Sequence, residues 1–240
     1  MSDVYKDGTY LRLNPGWHAE DSAWKVAKIA QIIDRNRLKP KTIAEVGCGT
    51  GQNLHKLSKI YPGTEFYGFD VSQVVSELWD TSSPHVHLSL ADFSQQKERY
   101  DILLVIDVVE HIEDYIGFLR SIRPRADHFV FHIPIEMTAQ QVLRDIQLHT
   151  RATYGHIHYF SKATAIAALE DAGYRVIDSF YTDTSVQYAS HHRNRRMQAM
   201  NVLRKLLYSF RPDLTVRLLG GYELMVLAAP KDGSIAASSS

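Results

Sequence analysis

A glutamate and three alternating glycines are the residues of this chain whose types and spacing first suggest chemistry. Glu45 is followed by Gly47, Gly49 and Gly51, directly after the apolar start of a predicted strand at residues 42–44. Because glycine has no Cβ, this backbone can turn sharply and approach a ligand closely. The apolar spacing that follows predicts a helix whose N-terminal amides face the same ligand. We therefore predict ligand binding at the end of a buried strand.

The glycine spacing departs from the dinucleotide-binding fingerprint. That fingerprint needs glycine at its first, third and sixth positions, and the sixth position counted from Gly47 is Gln52. A carboxylate at Glu45 would repel a diphosphate but would suit a cationic ligand that carries an amino-acid group. The pattern E-x-G-x-G-x-G resembles motif I of the class I S-adenosylmethionine-dependent methyltransferases. The resemblance implies S-adenosylmethionine as the cofactor, with Glu45, Gly47, Gly49 and Gly51 among the residues that bind it.

Acidic residues at later predicted strand ends extend the resemblance. Asp70 ends the second predicted strand, nineteen residues after Gly51, where an acid can accept both ribose hydroxyls. Asp92, followed by Phe93, looks like the adenine site of the family. The segment 107–114, Asp-Val-Val-Glu-His-Ile-Glu-Asp, closely resembles the segment after the fourth strand in small-molecule methyltransferases. The further cofactor-binding residues that the resemblance implies are Asp70, Val71, Asp92, Phe93 and Asp107.

Hydrophobic patterning predicts the elements that must position these residues. Seven apolar runs read as strands, with helical patterns between the first five. In the resembled family the last strand is antiparallel and lies between strands five and six. We predict an α/β fold, a Rossmann-like three-layer α/β/α sandwich with a seven-stranded, mostly parallel sheet and the ligand at the carboxyl ends of its strands. The resemblance covers about residues 40–183 and 222–229.

We predict one methyltransferase domain over residues 1–230 with two additions. Residues 1–40 should form a helical cap over the site, and residues 184–221 a basic helical insertion between the last two strands. Residues 231–240 are small and polar and are predicted to be disordered. The cations of the insertion, opposed by Asp213 alone, are Arg193, Arg195, Arg196, Arg204, Lys205, Arg211 and Arg217. The spacing of its apolar residues describes an amphipathic helix that must dock on something apolar, and these residues are Ala199, Leu203, Leu206 and Phe210.

A histidine is the predicted catalytic residue. Methyl transfer from a sulfonium is an in-line displacement, so the protein must align the reacting groups, exclude water and remove a proton where the nucleophile carries one. Histidine has the ordinary pKa best suited to that task. His111 is the predicted base because it follows the fourth strand, where family members present acceptor-facing residues. The structural alternative is a histidine at a helix N-terminus that is hydrogen-bonded to Glu110 or Asp114.

Other histidines and aromatic residues are predicted to line the acceptor site. His156 and His158 alternate, so an extended chain would turn both imidazoles to one side. With His132 and Glu136 nearby a metal site can be imagined, but two histidines without a further local ligand are weak evidence for zinc. We expect pocket lining or supporting hydrogen bonds there, and no metal ion. The predicted substrate-binding residues are Tyr10, Trp17, His132, His156 and His158.

Composition restricts the partners of the protein. Its 27 basic and 27 acidic residues balance, which argues against a surface that tracks phosphate backbones throughout. The motifs of DNA methyltransferases are missing, since segment 107–110 is not N/D-P-P-Y/F and the single cysteine, Cys48, lies in the glycine loop. The chain contains no apolar run of eighteen residues and no apolar segment near Met1, so we expect no membrane span and a cytoplasmic protein.

The sequence therefore predicts a methyltransferase that acts on a small-molecule acceptor, such as a sugar, a quinone-like ring or a secondary metabolite. O-methylation is preferred over N- or C-methylation. An anionic acceptor is one option, because the insertion could bring cations to the mouth of the pocket. Two alternatives stay open: an RNA or protein methyltransferase that uses the basic insertion, and a protein that binds the cofactor without transferring methyl groups.

Overall fold

A seven-stranded sheet forms the centre of the molecule. The computed structural model describes residues 21–183 and 195–231. The strands are β1 Thr42–Val46, β2 Glu65–Asp70, β3 Val86–Leu90, β4 Tyr100–Ile106, β5 Ala126–Pro134, β6 Tyr174–Thr182 and β7 Glu223–Pro230. Their order is β3-β2-β1-β4-β5-β7-β6, with β7 antiparallel to both neighbours and all other pairs parallel. The predicted fold class is confirmed, including the place and direction of the last strand.

Helices cover both faces of the sheet. They are α1 Ser22–Arg35, α2 Gln52–Ile60, α3 Gln73–Ser76, α4 Tyr115–Ile122, α5 Ala139–Val142, α6 Ile146–Tyr154, α7 Lys162–Asp171, α8 Arg195–Phe210 and α9 Pro212–Leu219. Within a strand, successive side chains enter different cores: Ile102 packs with α1 and α2, whereas Leu103 packs with α4 and α7. This alternation is the period of two that a strand buried on both faces requires. The three-layer arrangement follows from it.

Local signals in the sequence fix where α7 begins and ends. The Ser161 hydroxyl accepts a hydrogen bond from the Thr164 amide, and the Thr164 hydroxyl accepts one from the Ser161 amide, which completes a capping box. Leu169 is fully buried on the inner face, and Gly173 follows the helix with φ 92°. β6 begins just after this helix and pairs antiparallel with β7, which brings Thr182 at the end of β6 and Glu223 at the start of β7 to the edge of the sheet where β5 ends.

The basic insertion is helical from Arg195 to Leu219 with a break at Arg211, and its predicted apolar face is exposed and does not pack against the described residues. Leu206 is 57% exposed and Phe210 is 76% exposed. The face of α8 that packs inward carries the Tyr208 ring, which stacks on Tyr222 at a centroid distance of 4.8 Å, and two polar residues. Asn201 is buried, and Arg204 donates hydrogen bonds to Asn201 Oδ1 at 2.9 Å and to the Leu219 carbonyl at 2.8 Å. Arg204 therefore ties α8 to the end of α9. Across the part of the chain that the structure describes, no helix is long and apolar enough to cross a membrane.

Candidate active site at the carboxyl edge of the sheet

The glycine loop is held in a left-handed backbone conformation that glycine tolerates best. The φ angles of Gly47, Gly49 and Gly51 are 67°, 54° and 74°. The Gly47 amide donates to the Phe69 carbonyl at 2.8 Å, which fixes the loop against the end of β2. A Cβ on Gly51 would lie 2.8 Å from a terminal methyl carbon of Leu88. Because of this contact and the left-handed backbone, the protein's own packing favours glycine at Gly51 even without a ligand.

Glu45 is a buried acid with one unsatisfied oxygen. It is 1% exposed, and Oε1 accepts a hydrogen bond from Asn53 Nδ2 at 2.8 Å. Its Oε2 is buried and has no hydrogen-bond partner within residues 21–183 and 195–231. Burial raises the pKa of Glu45 to about 8, against the hydrogen bond from Asn53 and the charge of Lys25. A cationic ligand group at Oε2 would supply the missing partner.

Asp70 joins the end of β2 to the glycine loop. Its Oδ2 accepts from the Gly49 amide at 2.9 Å and its Oδ1 from the Ser72 amide at 2.8 Å. Burial raises the pKa of Asp70, while these backbone hydrogen bonds act in the opposite direction. Each carboxylate oxygen has a second lone pair with which it could accept a ligand hydroxyl. Two apolar side chains beside it, Val71 and Leu90, are 40% and 49% exposed and could cover a flat ring.

Asp92 and Phe93 occupy different environments. Asp92 is exposed, and its Oδ1 accepts a hydrogen bond from the Ser94 amide at 2.8 Å, which begins a short 3-10 helix. Phe93 is 2% exposed, and its ring packs edge-on against Phe69 at a centroid distance of 5.1 Å. The Phe93 side chain is thus part of the core, which leaves its backbone as the part nearest to a ligand at this turn.

A charged network follows the end of β4. Asp107 has a φ of 54°, an outlier of the kind that concentrates at functional sites. Its carboxylate pairs with Lys25 Nζ at 2.8 Å and with His132 Nδ1 at 2.6 Å. The other ring nitrogen of His132 lies 3.0 Å from Thr182 Oγ1 and 3.1 Å from a carboxylate oxygen of Glu223. His132 is fully buried, so the structure places it behind the site and not on a pocket wall.

Opposite charges set the protonation of this network. Burial disfavours the charged form of each member, but the charges of Lys25 and His132 hold the pKa of Asp107 well below its usual range. Burial likewise works against the Lys25 ammonium, and Asp107 outweighs it, so that the pKa of Lys25 is raised. The pKa of His132 is also raised, because the charges of Asp107 and Glu223 overcome the effect of burial. The opposite charges of the network therefore stabilise one another inside the fold.

Three further side chains converge beside that network, and we call Glu110, His111 and His156 the post-β4 cluster. Glu110 and His111 belong to a 3-10 turn, Val109–His111, whereas His156 comes from the segment after α6. His111 Nε2 lies 3.8 Å from Glu110 Oε1, and the rings of His111 and His156 meet edge to face at a centroid distance of 4.9 Å. The cluster lies at the carboxyl end of β4, where His111 was predicted.

His156 and His158 do not share a side of the chain as the alternation predicted. His156 Nδ1 contacts Glu136 Oε2 at 2.8 Å, whereas His158 Nε2 contacts the Glu113 carbonyl at 3.1 Å and its ring packs on Tyr115. The segment 155–159 is irregular, so period-two geometry does not apply. Only His156 therefore joins His111.

Some predicted residues lie outside the structural description, and others were missed by the sequence reasoning. Tyr10, Trp17 and Arg193 fall outside the described residues. Lys25 and Glu223 were missed because each is a single charge in an otherwise apolar pattern, which predicts a solvent-facing residue. No sequence pattern marks these two residues. They are recognised only in the folded structure, where Lys25 contacts Asp107 and Glu223 contacts His132 from distant parts of the chain.

The fold and the position of the site agree with comparison to known proteins. The methyltransferase domain family matches residues 18–179, more than half of the chain. The chain belongs to this family. It is accordingly an S-adenosylmethionine-dependent methyltransferase, as the class I resemblance predicted. No curated protein matches the chain in sequence.

Solved structures with the same fold are distant in sequence. Magnesium protoporphyrin IX methyltransferase from Synechocystis, solved with S-adenosylhomocysteine, is 16% identical, with a TM-score of 0.58 over 90% of this chain and 84% of that one. Coclaurine N-methyltransferase with N-methylheliamine and S-adenosylhomocysteine is 17% identical, with a TM-score of 0.60 over 85% and 70%. Mycolic acid cyclopropane synthase is 15% identical, with a TM-score of 0.59 over 86% and 85%. At this identity they establish the fold and leave the acceptor open.

The residues present fit the cofactor of the family. The unsatisfied Glu45 Oε2 suits the ammonium of its methionine part, and the open lone pairs of Asp70 suit its ribose. The glycine loop between them brings backbone amides close without side chains. Glu45, the glycine loop and Asp70 therefore lie in the order in which they would meet the methionine part and the ribose of the cofactor.

Proposed function

We infer that this methyltransferase moves a methyl group to the hydroxyl oxygen of a small-molecule acceptor, such as a sugar or a secondary metabolite. The observation that carries the inference is the post-β4 cluster, a buried carboxylate with two imidazoles at the carboxyl edge of the sheet. Such a group can take up or stabilise the removal of a hydroxyl proton, which an amine acceptor in its neutral form does not need. S-adenosylmethionine, when bound, supplies the electrophilic methyl.

Each part of the chain has a distinct task in this proposal. Glu45 orients the amino-acid end of the cofactor and Asp70 its ribose, while Gly47, Gly49 and Gly51 allow close approach, so that alignment is fixed before reaction. Val71, Asp92, the backbone at Phe93 and Asp107 complete the cofactor side. His111 and His156 face the acceptor hydroxyl, with His111 as the catalytic residue. Residues 136–159 form one wall of the acceptor pocket.

The structure weakens the case for the basic insertion as a nucleic-acid surface. Arg204, one of its seven cations, is used to hold α8 against α9. Lys205, Arg211 and Arg217 remain exposed among the cations whose side chains the structure describes. Binding to an extended phosphate backbone grows with the number of phosphates neutralised, so the use of Arg204 inside the fold removes one cation from such a surface.

Calorimetric titration with S-adenosylmethionine and S-adenosylhomocysteine tests the cofactor side of the proposal. We expect micromolar binding by the native chain and a loss of roughly ten- to a hundredfold in Asp70→Ala, because charge-assisted hydrogen bonds contribute about 1.5 to 3 kcal/mol. Asp70→Asn keeps the shape of the side chain and is the control for a loss of binding that results only from collapse of the glycine loop. Unchanged affinity in both variants would remove Asp70 from the site.

Formation of S-adenosylhomocysteine over a panel of hydroxylated small molecules tests the acceptor side. We expect His111→Ala to lower the chemical rate roughly a hundredfold, within the range for acid–base groups, while the affinity for the cofactor stays nearly unchanged. The control is His158→Ala, which removes a neighbouring imidazole that contacts Glu113 and Tyr115 instead. Turnover on amines alone would overturn the preference for oxygen.

A further inference from the structure

Glu110 is a buried carboxyl group whose hydrogen-bonding needs the described residues do not meet. It is fully buried, and neither carboxylate oxygen has a hydrogen-bond partner within the described parts of the chain. Burial, with the nearby charge of Asp107, raises the pKa of Glu110 well above its ordinary value. Buried polar groups are nearly always paired, and an unmet carboxylate calls for a ligand, a water or an ion. Among residues 21–183 and 195–231, Glu110 is the side chain with both carboxylate oxygens buried and unpaired.

The two imidazoles beside Glu110 are oriented by hydrogen bonds to groups outside the cluster. His156 Nδ1 lies 2.8 Å from Glu136 Oε2, and His111 Nδ1 lies 3.2 Å from the Gly155 carbonyl. A carboxylate and a carbonyl can only accept, so each Nδ1 carries a proton, and Nε2 is the ring atom that could act as a metal ligand. Metal-binding histidines typically donate their other N–H to a carboxylate or a carbonyl in this manner. His111 Nε2 is the atom that faces Glu110, at 3.8 Å from Oε1.

The cluster is fixed by the fold as well as by side chains. One ligand atom from each of Glu110, His111 and His156 lies within 4.8 Å of the other two. The Glu110 carbonyl accepts hydrogen bonds from the amides of Ile157 and His158 at 2.9 and 3.1 Å, which staples the segment after α6 to the turn after β4. Ligands of a tetrahedral zinc ion stand roughly 3.4 Å apart, so small side-chain rotations would close this set.

We propose that Glu110, His111 and His156 bind a divalent transition-metal ion such as Zn²⁺, with Glu136 and the Gly155 carbonyl as the groups that orient the two histidines. Two imidazoles and one carboxylate form a three-residue donor set that leaves a coordination position open. The second acidic and histidine group at this edge, Asp107 with His132 and Glu223, differs because the Lys25 ammonium already provides its cation.

The role of the ion rests on the proposed function, whereas its binding does not. An acceptor hydroxyl at the open position would lose its proton more readily, because a bound cation stabilises the alkoxide. His111 then acts as a ligand, and the ion takes over the stabilisation of the acceptor oxygen. The site would favour acceptors with an oxygen able to coordinate the ion next to the methylated position.

Metal binding is measured on the full-length chain after removal of metals with a chelator. We expect one equivalent of Co²⁺ to bind with visible absorption that Zn²⁺ displaces. Glu110→Gln, which keeps the shape of the side chain, and His156→Ala should each weaken binding tenfold or more and lose the absorption. His158→Ala, the matched control, should bind like the native chain. Thermal unfolding confirms that each variant is folded, and the two ligand variants test the site independently.

Two results would overturn the proposal: no Co²⁺ or Zn²⁺ binding by the native chain, or native binding by Glu110→Gln, which would place the ion on other histidines. Titration of the same metal-free protein with S-adenosylmethionine separates this proposal from the proposed function. Metal binding without cofactor binding would contradict the proposed function and support the metal site. Turnover that is unchanged after metal removal would overturn the role of the ion.

Discussion

At the scale of single residues, two buried carboxylates define the chemistry of this site. Glu45 and Glu110 are almost fully buried, and both retain oxygens with no hydrogen-bond partner among the described residues. Nearby Asp107 is just as acidic by type, yet Lys25 and His132 satisfy it from within the fold. Asp107 is thus neutralised by other groups of the protein. Glu45 and Glu110 are not, and because an unpaired buried charge is costly, they are the acids to which a ligand would bind.

Cofactor affinity should depend on pH through Glu45. Its pKa of about 8 keeps the carboxyl largely protonated at pH 6, whereas a cationic ligand group needs the carboxylate. We expect the affinity of the native chain for S-adenosylmethionine to rise as pH is increased from 6 toward 7.5, by up to about tenfold per unit, with a proton released on binding. Calorimetry in buffers of different ionisation enthalpy measures both quantities.

The variant Glu45→Gln isolates this effect. It keeps the size of the side chain and removes its titration, so any remaining pH dependence comes from the ligand's own amine or from other groups. We expect weaker binding and almost no proton release in this variant. A native chain whose affinity is flat from pH 6 to 7.5 would show that Glu45 does not meet the cationic end of the ligand.

At the scale of elements, the glycine loop illustrates how a binding motif is also a packing motif. Gly51 precedes α2 with φ 74° and ψ 4°, and the Leu88 side chain from β3 closes over it. A substitution there should therefore disturb the junction between β1, α2 and β3 even without a ligand. Loss of binding in such a variant would not by itself prove ligand contact.

We expect Gly51→Ala to destabilise the chain by roughly 1–2 kcal/mol, the strain of a side chain in left-handed backbone. Gly63→Ala is the matched control, because a Cβ there meets nothing within 4 Å and its φ lies outside the left-handed region. Urea unfolding measures both. Equal stability of the two variants would show that the loop relaxes freely and that its glycines serve the ligand alone.

At the scale of the whole molecule, the fold was predictable and the inner site was not. The continuous apolar run of β4 and the Ser161 capping box are local patterns, which can be recognised without knowledge of distant contacts. Positions whose role depends on distant partners were missed or misplaced: Lys25 reaches Asp107 across the chain, and His156 meets His111 through an irregular segment. The apolar spacing of α8 likewise did not indicate the face that packs inward, because Arg204 and the Tyr208 ring make those contacts.

The buried acids also set how the whole molecule responds to pH. Glu45, Glu110 and Asp70 each have a pKa raised by burial, so the folded chain keeps protons that the unfolded chain has already lost. Their stabilising contribution is fully present below their unfolded pKa and is lost as pH rises through the folded pKa. The raised pKa of His132 acts in the same direction above pH 6.5. The lowered pKa of Asp107 contributes equally throughout, since its window lies below pH 4.

We therefore expect the free energy of unfolding to fall as pH is raised from 5 to 8 in the absence of cofactor. Urea denaturation at pH 5, 6, 7 and 8 measures it. The free energy of unfolding should fall less with pH in Glu45→Gln, because this variant has no carboxyl to deprotonate at that position. It should fall less still in the double variant that also carries Glu110→Gln. A native stability that rises over this range would mean that the buried acids are already ionised and paired in the folded chain. Glu45 would then contribute little to the affinity for the cofactor, and its assignment as the site of the cofactor's ammonium group would be weakened.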